Sequence, residues 1–160
     1  MQVHLLRHAI AEDPAPGMRD RDRDLTREGV DKLRAVLRFA PKTGIDPAII
    51  ASSPYRRARE TARIAAEVLR CKDRLQEWAC LTPESDPEAV WTEIRVHKDA
   101  PQLLLVGHQP LFSGLTAYLL GDRSLRIDFK KSAWARIDID RFGPAPRGIL
   151  KWMLPPKMAD

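Results

Sequence analysis

Short apolar runs alternate along this chain with longer stretches in which apolar residues recur at helical spacing. Val3 to Leu6, within Met1 to Leu6, is a short, largely apolar run that reads as a buried β-strand. Ile49, Ile50 and Ala51 read as a second short strand. Leu103 to Val106 is a third, and its continuous apolar character implies burial on both faces, as in a parallel sheet covered by helices. Between the strands, Val30, Leu33, Val36 and Leu37 predict an amphipathic helix to about Phe39. Thr26 is its N-cap, Glu28 sits in its first turn, and Pro41 and Gly44 end it. Ser53-Pro54 predicts a second helix start, with Ala58, Ala62, Ala65 and Leu69 on one face. Asp86 to His97 and Pro110 to Leu120 predict two further helices. Ala133 to Ile139 alternates and reads as a half-exposed strand, joined by a Gly/Pro-rich turn at 143–148 to a last strand, Ile149 to Leu154. Ala9 to Asp24 reads as a loop and Arg74 to Pro83 as a mixed segment. This order predicts an α/β fold: a three-layer α/β/α sandwich with a mostly parallel central sheet and an antiparallel hairpin at the C-terminal end.

Composition narrows the class. The chain has 160 residues, 44% apolar and 31% charged, which suits one domain over 1–160 with a sizeable core. Trp78, Trp91 and Trp134 are expected in that core. No apolar run is long enough to span a bilayer, and the first strand lies so close to Met1 that no cleaved leader is expected. Cys71 and Cys80 have no metal-type or C-x-x-C spacing, so reduced thiols in a cytoplasmic protein are expected. The formal net charge of +5 suits an acidic or phosphorylated partner. Its basic residues are interleaved with acids, and no RNA- or DNA-binding signature is present, which argues against a nucleic-acid partner. No metal-ligand cluster or cofactor motif stands out, so neither is expected.

The candidate chemistry lies at the strand ends. The first strand finishes in Arg7-His8 and the third in Gly107-His108. The second runs through Ser52-Ser53-Pro54-Tyr55 into Arg56 and Arg57. Ligands of open α/β sheets bind at the carboxyl ends of strands. Two histidines and several arginines gathered there are what phosphoryl transfer through a phosphohistidine needs: a nucleophile and planar, permanently charged clamps for the oxygens. Arg57 falls in a helix's first turn, where free N–H groups also favour an anion. The alternating run Arg19-Asp20-Arg21-Asp22-Arg23-Asp24 reads as a solvated, self-neutralising loop, Arg23 excepted because it directly precedes the next element.

These motifs resemble the histidine phosphatase superfamily, also called the phosphoglycerate-mutase-like or RHG family. Leu6-Arg7-His8-Ala9 is similar to its R-H-G motif, with Ala9 where glycine is usual. Leu25-Thr26-Arg27-Glu28-Gly29 is similar to its L-T-x-x-G helix entry, and Ser53 to Ala62 to its S-P-x-x-R-A-x-x-T-A segment. Val106-Gly107-His108 resembles its second histidine motif. The short length, the Arg23-Asp24-Leu25-Thr26 entry and Leu81-Thr82-Pro83 resemble the small SixA-type phosphohistidine phosphatases.

The resemblance implies a phosphoglycerate-mutase-like fold and a metal-independent phosphatase. His8 would be the phosphorylated nucleophile, and Arg7, Arg57 and His108 would surround the phosphoryl group. Arg23 would lie near the phosphate. Glu77 is a possible general acid, with Glu12 and Asp13 as alternatives, and an ill-defined acid suits P–N bonds better than unactivated P–O bonds. The implied partner is a histidine-phosphorylated protein, a phosphotransfer domain or carrier, met by a monomer or weak oligomer. The competing readings are a small-molecule phosphomonoesterase or mutase on the same site, a phosphoprotein-binding module without turnover, and a basic nucleic-acid-binding domain.

Overall fold

The computed structural model describes residues 1–159. Six strands form one sheet: β1 (Gln2–Arg7), β2 (Ile49–Ser52), β3 (Leu75–Glu77), β4 (Gln102–Gly107), β5 (Trp134–Asp138) and β6 (Ile149–Leu154). Their order is β3-β2-β4-β1-β5-β6. The first four are mutually parallel; β5 runs antiparallel to β1, and β6 antiparallel to β5. The predicted α/β class, mostly parallel sheet and C-terminal hairpin are all present.

Among the described residues, five α-helices accompany the sheet: α1 (Arg27–Leu37), α2 (Ala40–Thr43), α3 (Arg56–Val68), α4 (Pro87–Val96) and α5 (Leu111–Leu119). Side chains alternate across a strand, so each buried strand feeds two layers. Val3, Leu5, Leu103 and Leu105 pack with Trp91 and Ile94 of α4 and with Phe112 and Leu115 of α5. Leu6, Ile50, Leu104 and Val106 face the other way, onto Leu33 and Val36 of α1 and the alanines Ala58, Ala62 and Ala65 of α3. Trp78, Trp91 and Trp134 are all buried, as expected.

The sequence reading differs from the structure at several junctions. Ser53-Pro54 does not open α3; Tyr55 is the N-cap, and its carbonyl accepts from Ala58 and Arg59. The delay arises because the Ser53 amide extends the sheet, donating to the Val106 carbonyl at 3.0 Å. Pro41 does not end a helix but lies inside α2, which Gly44 closes at φ 65°. Gly107 serves close packing: a Cβ there would lie 2.6 Å from the Phe112 ring. Within the mixed segment, β3 is a three-residue edge strand, too short for periodicity to reveal.

One core residue breaks the apolar pattern. His4, in the middle of β1, is fully buried against the rings of Trp134 and Trp152, and neither of its ring nitrogens has a hydrogen-bond partner. Burial, reinforced by Arg136, lowers its pKa to about 4, so it is neutral at pH 7. The unfolded chain takes up this proton near pH 6.5 and the folded chain only near 4, so stability falls as pH drops through that window. At roughly 1.4 kcal/mol per pKa unit, the loss by pH 4 is up to about 3 kcal/mol. The expected result for His4→Leu is an unchanged or higher urea midpoint at pH 7 and a smaller decline between pH 7 and 4.5. A decline as steep as wild type would show that His4 does not drive it.

Candidate active site

Parallel pairing brings three strand ends to one edge. β4 lies between β1 and β2, with Arg7 opposite Gly107 and Ser52 opposite Val106. The next residue of each strand therefore converges: His8 beyond β1, Ser53 beyond β2 and His108 beyond β4. The His8 amide donates to the Gly107 carbonyl at 3.0 Å, which locks the two histidine-bearing turns together. Their ring centroids are 4.9 Å apart.

The backbone sets the state of His8. Its Nδ1 lies 2.7 Å from the Ala9 carbonyl, which can only accept, so Nδ1 carries the proton. Nε2 keeps its lone pair and accepts from Arg57 Nε at 3.3 Å. His8 is 5% exposed, Arg57 4% and His108 1%. Burial, then His108 and the guanidiniums of Arg57 and Arg7, hold the His8 pKa well below its usual value. Burial and then Arg57 lower that of His108 to about 3. The result is a neutral imidazole with its Nε2 lone pair beside a guanidinium, an arrangement chemically able to attack an electrophile next to a bound anion.

Local chemistry holds this arrangement. Thr61 Oγ1 donates to the Arg57 carbonyl at 2.7 Å and accepts from the Ala9 amide at 3.1 Å, fastening α3 to the turn that carries His8. Gly29 at the start of α1 presses against the same turn; a Cβ there would meet the Ile10 carbonyl oxygen at 2.3 Å. Thr26 caps α1 by accepting from the Gly29 amide, as predicted. Ala9 is fully buried, and the positive φ angles of non-glycine residues fall at Arg70 and Ser132 rather than there, so alanine replaces glycine without backbone strain. His108 Nε2 shares a 2.8 Å hydrogen bond with Ser53 Oγ, and Tyr55 meets the ring edge-on with centroids 5.1 Å apart. Arg7 Nη1 donates to the Phe129 carbonyl at 2.7 Å, while its Nε is buried without a partner.

His8, Arg57 and His108 thus cluster as the sequence predicted, with Arg7 coupled to both histidines electrostatically. Arg23 joins indirectly. Its guanidinium holds Asp20 at 2.8 Å, and the Asp20 carboxylate also meets Arg57 Nη2 at 3.0 Å, while the Asp20 carbonyl accepts from Arg57 Nη1 at 2.7 Å. Asp20 begins a 3₁₀ turn over 20–22, so the loop read as merely solvated supplies the ligand of the arginine clamp. The alternating charge run contained the residue; no spacing rule distinguishes Asp20 from Asp22 or Asp24. Arg23 and Arg57 lower the Asp20 pKa despite an opposing effect of burial, so it is ionised at neutral pH.

The other carboxylates fall elsewhere. Glu77 pairs with Arg59 at 3.5 Å and lines a separate cavity with Ser52 and Arg63, so it is not brought into the histidine cluster. Its position at the end of edge strand β3, with β2 between it and β4, accounts for the separation. Glu12 contributes its carbonyl to Arg23, and Asp13 is exposed. Glu84, not singled out by the sequence, accepts from the Tyr55 hydroxyl at 3.4 Å. Among the described residues, no group of three or more His, Cys, Asp or Glu is placed to hold a metal ion, and no helix is long and apolar enough to cross a membrane.

Comparison with known proteins agrees with this geometry. An uncharacterised protein of Picosynechococcus sp. is 32% identical over 135 residues, 82% of this chain and 81% of its own. The structure of the protein histidine phosphatase SixA complexed with tungstate superposes with a TM-score of 0.89 at 25% identity, over the whole of both chains. The α-ribazole phosphatase of Shigella flexneri, at 16% identity and a TM-score of 0.74 over 98% of this chain and 97% of its own, shares the fold. The model of the histidine phosphatase superfamily, branch 1, matches residues 3–88, a span that holds Arg7, His8 and Arg57, while the fold adds His108 from beyond it. By this match over more than half its length, the chain belongs to the histidine phosphatase superfamily, with a SixA-type fold.

Proposed function

We propose that this protein removes the phosphoryl group from phosphohistidine in another protein, through a phosphohistidine intermediate on His8. The His8 Nε2 lone pair forms a bond to phosphorus as the P–N bond to the substrate imidazole breaks. The departing imidazole takes its proton from water. Arg7, Arg57 and His108 stabilise charge on the equatorial oxygens, a role that pre-positioned cations perform without reorganisation. Water then attacks phosphorus and gives up a proton to the hydroxide left by the first step, while the P–Nε2 bond breaks and its electron pair returns to Nε2. Arg23 supports Arg57 by sharing Asp20 with it.

The carrying observation is the state of the carboxylates. Asp20 is ionised between two arginines, and Glu77 is engaged with Arg59 away from the cluster. An alkoxide leaving group calls for a positioned acid, whereas an imidazole leaves more readily without one. This supports P–N over unactivated P–O substrates, and so does the likeness to the protein histidine phosphatase SixA.

The test compares a histidine-phosphorylated protein with sugar phosphates, using wild type, His8→Ala and Arg57→Ala. The expected result is higher kcat/KM on phosphohistidine, lost at least about 1,000-fold in His8→Ala and roughly 100- to 1,000-fold in Arg57→Ala. A clear preference for sugar phosphates would move the function to small-molecule metabolism. Retained phosphate binding without turnover of either would favour a binding module.

Two further outcomes follow from the same charges. In an NMR titration of the free enzyme, His8 and His108 are expected to stay neutral at pH 5, because both pKa values are depressed. A midpoint near 6.5 for either would contradict the proposed resting state. Asp20→Asn removes a negative charge from the arginine clamp, so inorganic phosphate should bind roughly 3- to 10-fold more tightly by calorimetry, an effect of about 1 kcal/mol. Weaker binding would mean that Asp20 orders Arg57 more than it competes with the anion.

A further inference from the structure

Arg7 borders a second space. A cavity of about 550 Å³ is lined by Arg7, Lys32, Lys130, Lys131, Lys157 and Ser132. Its volume lies within the ~300–1,000 Å³ usual for ligand sites and is far larger than one oxyanion needs. The lysines come from three separate parts of the chain: α1, the turn before β5, and the 3₁₀ turn at 156–158. Among the described residues, no carboxylate lines it.

Two ion pairs nearby are solvent-exposed. Lys32 pairs with Glu28 and Lys130 with Asp128, and both acids are mostly exposed, so solvent screens these pairs. Lys131 and Lys157 have no ion pair among the described residues. Ser132 is 1% exposed, its Oγ has no hydrogen-bond partner, and its backbone sits at φ 60°. Its amide lies 3.2 Å from the carbonyls of both Arg7 and His8. A strained, buried residue with an unused hydroxyl therefore lines this space while tied to the nucleophile's backbone.

We infer that this cavity is a second anion subsite, which takes acidic side chains flanking the phosphohistidine of a protein substrate. The inference rests on the proposed phosphohistidine-protein reading and deepens it. Lysine ammoniums on long stems, with Ile10 and Pro156 as apolar wall, fit the methylenes and carboxylates of a peptide stretch. Arg7 joins the two subsites, so an acidic segment docked here is positioned relative to the phosphoryl group.

The test uses the full chain and two synthetic peptides with one central histidine, flanked by Glu and Asp in one and by Gln and Asn in the other. Both are phosphorylated on histidine and assayed at low salt beside free phosphohistidine. Wild type should prefer the acidic phosphopeptide by roughly tenfold in kcat/KM, a preference that shrinks as salt rises. In Lys131→Gln/Lys157→Gln the preference should fall to about twofold, with turnover of free phosphohistidine unchanged. Equal use of the two peptides by wild type, or an undiminished preference in the variant, overturns the subsite. So does a preference for a sugar bisphosphate over its monophosphate that the variant abolishes, since a small molecule would then be the occupant. Binding of the unphosphorylated peptides, followed by fluorescence anisotropy, reads the subsite separately from catalysis. If no phosphohistidine substrate is turned over, tighter binding of the acidic peptide that the variant loses still supports the subsite, and equal binding of the two peptides overturns it.

Discussion

One hydrogen bond decides what the site is able to do. The Ala9 carbonyl accepts a hydrogen bond from Nδ1–H of His8, and this leaves a lone pair on the nitrogen that faces Arg57. Reversed, the ring would present an N–H to a cation, and neither nucleophilic attack nor a contact with Arg57 would follow. The carbonyl is itself held because Thr61 grips the Ala9 amide and Gly29 leaves space for Ile10. The helix entry, the alanine face of α3 and the first strand thus serve one imidazole orientation.

Around that imidazole the fold gathers positive charge where burial makes charge costly. The arginines cannot release their protons at ordinary pH, so the histidines stay neutral instead. A site built this way is electrostatically incomplete until an anion arrives. Part of the deficit is met within the chain by Asp20, and part by carbonyls such as that of Phe129.

Much of this was legible in the sequence. His8, Arg57 and His108 stand in motifs at strand ends, and parallel pairing turns neighbouring strand ends into neighbouring side chains. The layers follow from apolar periodicity, which is reliable for β4 and α1 and silent for a three-residue strand such as β3. Asp20 was hidden because an alternating charge run has no preferred member until the loop folds. Glu77 misled because it ends a strand, as His8 nearly does, yet that strand lies at the sheet edge. The cavity beside Arg7 joins Lys32, Lys131 and Lys157, which share no motif and meet only through the sheet order.

Asp20 also gives the resting protein an occupant. Its carboxylate is tethered by a short loop, so its local concentration at Arg57 does not fall when free anions are scarce. Under the proposed function every incoming anion competes with it, and one that makes a single contact competes poorly. An anion that also engages Arg7 and His108 has more to gain. An internal rival of this kind sharpens discrimination between a full phosphoryl ligand and the simple anions of the surrounding solution, and it is ready to take the arginines back when product leaves.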